Sequence, residues 1–165
     1  MIGIRVKPGA THRGVFGKIA AYPLLRRRNE YLLFLLHNRR ADQAVYAAIV
    51  DALLAQGHQV PTAHLSSPDI MALEAVVSPN EVYHRDVAWV NGCDALIAEV
   101  STPSHGVGYE IALALALGKP VLCLYRRGRR VSKMITGNDH PGLRQADYED
   151  PAGVVTLVCD FLHDL

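Results

Sequence analysis

The chain has 165 residues, enough for one domain with a sizeable core. Half of them are hydrophobic and a fifth charged, a balance that excludes a chain disordered throughout. The net charge of +1 gives no reason to expect a polyanionic partner, and no apolar run reaches membrane-spanning length.

That charge is unevenly placed. Residues 1–29 hold seven basic side chains and no acid, whereas the rest carries ten basic against sixteen acidic ones, a net charge of −6. The first 29 residues therefore read as a basic extension, either disordered or foreign to the domain, with an organelle transit peptide as the alternative. The folded domain is expected over 30–165. Cys93, Cys123 and Cys159 are odd in number, far apart and set among apolar residues, as reduced thiols of a cytoplasmic protein would be. No HExxH or CxxC spacing occurs, so neither a metal nor another cofactor is expected.

From residue 30 onward, strand-like and helix-like segments alternate. EYLLFLL (30–36) is a short apolar run suited to a buried strand. ADQAVYAAIVDALLAQG (41–57) has apolar residues at helical spacing and stops at Gly57. HQVPTAH (58–64) reads as a weak edge strand, since Pro61 cannot donate to a ladder. SPNEVYHRDVAWVNG (78–92) opens with Ser78 as a cap and Pro79 in the first turn, which predicts a helix running to Gly92. CDALIAEV (93–100) follows as a buried strand.

The segment EIALALALG alternates with period two, as a strand would. Ala and Leu are strong helix formers, however, and Gly118 before Pro120 is a helix stop. The expectation is a helix from Tyr109 to Leu117, buried on nearly all sides, preceded by a flexible glycine loop over 101–108. PVLCLY (120–125) is the next strand, VSKMITG (131–137) a short helix, LRQADY (143–148) a last strand. DPAGVVTLVCDFLHDL (150–165) closes the chain as a helix capped by Asp150. This alternation predicts an α/β fold: a doubly wound, open, parallel five-stranded sheet of Rossmann-like or flavodoxin-like type, with helices on both faces. Ligands in such folds bind beyond the carboxyl ends of the strands.

The loop 101–108 leaves the carboxyl end of a central strand, and its Ser104, Gly106 and Gly108 precede a helix N-terminus suited to a phosphate. Taken alone, the same residues describe a tight strand-to-helix turn with Glu110 complementing the helix dipole. Asp86, on the helix that feeds the same strand, could equally be a solvated acid. Two acids in one cleft beside a phosphate loop would suit glycosidic bond cleavage. RRGRR (126–130) lacks interleaved aromatics and reads as a solvated loop, so nucleic-acid binding is not expected.

Residues 85–126, with Asp-x-x-Trp (86–89), Ala-Glu-Val-Ser (98–101) and Pro-Ser-x-Gly-Val-Gly-Tyr-Glu (103–110) in one order, closely resemble the 2'-deoxynucleoside 5'-phosphate N-hydrolases. These are relatives of the nucleoside 2-deoxyribosyltransferases. The resemblance implies a Rossmann-like homodimer that acts on a small nucleotide. It implies Glu110 as nucleophile, Asp86 as the acid that protonates the departing base, and Tyr31 near the nucleophile. It implies phosphate contacts from Ser104 and Gly106, and from Ser132 across the dimer, with Met134 against the base.

In that register the family's glycine-rich first loop falls on Phe34, Leu35, Leu36, His37, Asn38 and Arg39, with Arg40 on its last arginine. No glycine is present there, and bulky residues cannot bring backbone amides to a phosphate as glycines do. An impaired site, or a wrong start or frame over residues 1–40, would each explain this. Three other readings stay open: a deoxyribosyltransferase, a ribonucleoside monophosphate N-glycosidase, and a catalytically weak nucleotide-binding protein.

Overall fold

The structure is a computed structural model that describes residues 32–36, 43–66 and 77–165. The basic extension, Tyr31 and Arg40 lie outside the described residues. Four strands, β1 (Leu32–Leu36), β2 (Ala95–Glu99), β3 (Val121–Arg126) and β4 (Leu143–Tyr148), form a parallel sheet in the order β1-β2-β3-β4. Between and after them come helices α1 (Gln43–Ala55), α2 (Pro79–Gly92), α3 (His105–Ala116), α4 (Lys133–Thr136) and α5 (Pro151–His163).

The central strand explains the two layers. All five residues of β2 are buried. Ala95 and Ile97 join a core with Val45, Ile49 and Leu53 of α1 and with Val154, Val158 and Phe161 of α5. Leu96 and Ala98 join a second core with Val90 of α2 and with Val107, Ile111 and Ala114 of α3. Helices therefore cover both faces, and a strand buried on both sides reads as a continuous apolar run. Helix ends follow local chemistry. Gly57 and Gly118 adopt positive φ, +84° and +70°, just past α1 and α3, a conformation that a side chain would strain.

Three expectations are corrected. The fifth strand expected at 58–64 is instead a single bridge residue, Gln59, followed by a 3-10 turn over Pro61–Ser66. Pro61 has no N–H to offer, and the Tyr46 hydroxyl takes up the Thr62 carbonyl, so ladder groups there are missing or already engaged. Four strands are described in the sheet.

The second correction concerns the first loop. Phe34, Leu35 and Leu36 lie within β1, paired with Ile97, Ala98 and Glu99. A loop starting at Phe34 would break this pairing, so the ungapped register sets the loop at least three residues too early. Residues 37–42 are outside the described residues.

The third is α3. It begins at His105, not Tyr109, and is one-sided. Ile111, Ala114 and Leu115 are buried, while Tyr109, Ala112 and Ala116 are exposed. The period-two run of Ala and Leu is thus a helix, with Ala112 and Ala116 turned outward and Ala114 inward.

Helix α2 is set by a complete capping box. The Ser78 hydroxyl accepts from the Glu81 N–H at 3.2 Å, and the Glu81 carboxylate accepts from the Ser78 N–H at 3.1 Å. Ser78→Ala is expected to lose about 1 kcal/mol of unfolding free energy in a urea titration. A loss below a few tenths would mean that the box contributes nothing to the fold.

Candidate active site

The carboxyl end of β2 leads through Val100–Pro103 into α3. Ser104 is the N-cap, with extended backbone (φ −140°, ψ 129°), and its hydroxyl accepts from the Val107 N–H at 3.4 Å. Gly106 and Gly108 are therefore not loop residues, as the sequence suggested, but belong to the first two turns of the helix. Neither needs glycine for its φ. Among the described residues, a Cβ at Gly106 would meet only the Ser104 hydroxyl, at 3.9 Å, and one at Gly108 nothing within 4 Å. The first amides of a helix have no partner within it.

Glu110 follows on α3, half-buried, and Asp86 lies on the neighbouring α2. Arg85 is paired with Asp86. Its Nε donates to Asp86 Oδ1 at 2.7 Å, and its guanidinium sits 4.7 Å above the Trp89 ring. Burial, then the Asp86 charge, push the Glu110 carboxyl up to about 7, against a smaller lowering by Arg85. Two acids and one cation thus share a small region at the mouth of α3.

Two tyrosines border this region. Tyr83, one turn before Asp86, and Tyr109, beside Glu110, have ring centroids 6.3 Å apart, and both are half exposed. Ser132 caps α4, its hydroxyl accepting from the Met134 N–H at 3.3 Å. Val131 and Ile135 pack on the second core, while Ser132 and Met134 turn to solvent, Met134 being 84% exposed. The structure brings Glu110, Asp86, Ser104, Gly106 and Gly108 to one end of the sheet and leaves Ser132 and Met134 outward-facing. A shallow cavity of about 270 Å³, lined by Pro120, Gly142, Arg144, Phe161 and Asp164, lies at the opposite end of β3 and β4. Sequence reasoning missed Arg85, although its place beside Asp86 and four residues before Trp89 was a usable signal.

Other features bear on cofactors and location. No group of three metal-ligating side chains occurs among the described residues. None of the described helices is long and apolar enough to cross a membrane. All three cysteines are free, with Cys93 and Cys123 buried and Cys159 partly so.

The profile of the nucleoside 2-deoxyribosyltransferase family matches residues 33–153. The chain belongs to this family. Among its relatives, a Methanosarcina mazei protein provisionally named 2'-deoxynucleoside 5'-phosphate N-hydrolase 1 is 38% identical over 120 residues, 73% of this chain and 74% of that one. The 5-hydroxymethyl-dUMP N-hydrolase of Mus musculus is 44% identical over 102 residues, 59% of this chain and 58% of that one. The solved structure of a Clostridium botulinum CMP N-glycosidase, BcmB, matches with a TM-score of 0.63 at 20% identity. That match covers 79% of this chain and 98% of the other, and it supports the Rossmann-like fold alone.

The raised Glu110 carboxyl has a consequence for stability. A carboxyl at about 7 in the folded state and near 4.5 in the unfolded one takes up a proton on folding between those pH values. The cost of ionising it is absent below pH 4.5, grows up to about 7 and is constant above. Glu110→Gln removes that cost. The variant is expected to be more stable than wild type at pH 8 by on the order of 2–3 kcal/mol, with the gap closing at pH 4.5. Urea unfolding at both pH values measures this, and a pH-independent gap would refute the buried-acid assignment.

Proposed function

We propose that this protein hydrolyses the N-glycosidic bond of 2'-deoxynucleoside 5'-monophosphates, giving free base and 2-deoxyribose 5-phosphate. The observation that carries the reading is the half-buried Glu110, near the Asp86 charge, in the first turns of a helix whose Gly106 and Gly108 carry no side chain before its first amides. The names of the relatives at 38% and 44% identity support the same chemistry.

In this mechanism the Glu110 carboxylate attacks the anomeric carbon as its bond to the base breaks. The base departs with the bonding pair and takes a proton from Asp86. Asp86 then removes a proton from water, which attacks the same carbon and releases Glu110. The start of α3, with Ser104, Gly106 and Gly108, takes the 5'-phosphate, so binding energy remote from the reacting bond places the sugar over Glu110. Tyr31 and Arg40 are assigned to the same site from the resemblance.

The protein is proposed to act as a cytoplasmic homodimer, in which Ser132 reaches the partner's phosphate, with Met134 packed against the base. The outward exposure of Ser132 and Met134 supports a role for both beyond the chain's own core. Residues 30–165 form the catalytic domain in this reading, preceded by the basic extension.

The protonation of Glu110 favours one alternative. A carboxyl held at about 7 beside a second acid is also the pattern of a proton donor, with Asp86 then the nucleophile. The pH profile separates the two. With Glu110 as nucleophile, kcat/KM rises as pH climbs through about 7, because the ionised form reacts. With Glu110 as acid, it falls over the same range.

Glu110→Gln is expected to abolish base release from a deoxynucleoside monophosphate, followed by chromatography, while the variant stays folded. Retention of most of the rate would reduce Glu110 to a helix-end charge. Asp86→Asn should slow release most for bases that leave poorly without a proton. The shared site makes a separate demand. Mixing Ser132→Ala with Glu110→Gln should regenerate hybrid dimers with one intact site, so activity should exceed that of either variant. No recovery after verified subunit exchange would confine the site to one chain.

A further inference from the structure

One buried polar cluster has no part in the chemistry above. Glu99, the last residue of β2, is 1% exposed. Its carboxylate accepts from the Ser101 N–H at 3.2 and 3.3 Å, from the Ser101 hydroxyl, and from the Tyr148 hydroxyl at 3.0 Å. The Ser101 hydroxyl in turn accepts from the Arg126 N–H at 2.7 Å. Arg126 and Tyr148 end β3 and β4 and are register partners. The cluster therefore ties the carboxyl ends of three strands to one residue of the turn that follows β2.

A parallel sheet does not need such a tie. Its strands are already joined by backbone ladders, and a buried carboxylate carries a desolvation cost that apolar side chains avoid. Burial, and then the Glu99 charge, push the Tyr148 phenol up to about 12, so it remains a donor at neutral pH. What the carboxylate holds is the backbone of the turn. Val100 N–H reaches the Leu124 carbonyl at 2.8 Å, Ser101 is gripped at both its amide and its hydroxyl, and Ser104 caps α3 three residues later.

We propose that Glu99 is a positioning residue that sets, through Ser101, where the Ser104 hydroxyl and the first amides of α3 stand to receive the substrate's 5'-phosphate. This role rests on the phosphate reading proposed for that turn. Glu99 touches no reacting atom. Its effect is on recognition of the phosphate, because a turn free to shift by a fraction of an ångström lengthens several charge-assisted hydrogen bonds together.

The test compares base release from a deoxynucleoside monophosphate and from the matching unphosphorylated nucleoside, for wild type, Glu99→Gln, Ser101→Ala and Tyr148→Phe. Glu99→Gln sets an amide N–H₂ against the donors of the cluster. Ser101→Ala removes the link to Arg126 and keeps the carboxylate. For both, KM for the monophosphate should rise at least tenfold, with kcat and the activity on the bare nucleoside changed less than threefold. Tyr148→Phe, on the side away from α3, should have a smaller effect. Thermal melts check that each variant is folded, and if Glu99→Gln is not, Ser101→Ala alone decides. An equal loss on both substrates, or wild-type KM for the monophosphate, would overturn the positioning role. A wild-type enzyme with no preference for the phosphorylated substrate would instead overturn the phosphate reading itself.

Discussion

The structure is organised around the cost of placing a carboxylate in a partly apolar setting. Glu110 stands where α3 turns from a polar beginning into a helix whose inner side is the second core. Burial raises its carboxyl, Asp86 raises it further, and Arg85 opposes both. Burial and the Asp86 charge together outweigh Arg85, which leaves the Glu110 carboxyl near neutrality. The Arg85 cation stands 2.7 Å from the neighbouring acid, with the Trp89 face beneath it. The parallel sheet makes this possible, because it carries α2 and α3 on the same face with their side chains packed on the second core.

The helix ends were legible because their chemistry is local. Ser78 with Pro79, and Asp150 with Pro151, are signals within a few residues, and both helices begin where these predict. Strand β4 coincides with the LRQADY segment for a similar reason, being bounded by Gly142 before it and Glu149–Asp150 after it. The start of α3 was not legible. Glycines at 106 and 108 read as loop, and only the Ser104 cap, weighed against them, would have moved the boundary to His105.

The site divides in the same way. Glu110 and Asp86 were singled out as a pair of acids from the residues and given their roles by the resemblance, and their nearness in space follows from the packing of α2 on α3. Glu99 lay within a quoted motif but received no role, since its partners Ser101, Arg126 and Tyr148 come from three parts of the chain and share no spacing. The first loop was misjudged by the opposite error. Sequence identity was extended without gaps into Phe34–Leu36, where the ladder with β2 allows no loop.

The two glycines of α3 carry a last implication. Each weakens a helix by roughly 1 kcal/mol relative to alanine, and among the described residues nothing stands in the way of an added methyl at either. In the proposed reading the constraint on them is the substrate's phosphate. Alanine at 106 or 108 would then make a sturdier scaffold with a more crowded doorway, and selection for heat resistance alone would drift toward it. At these two positions endurance and reactivity would pull against each other.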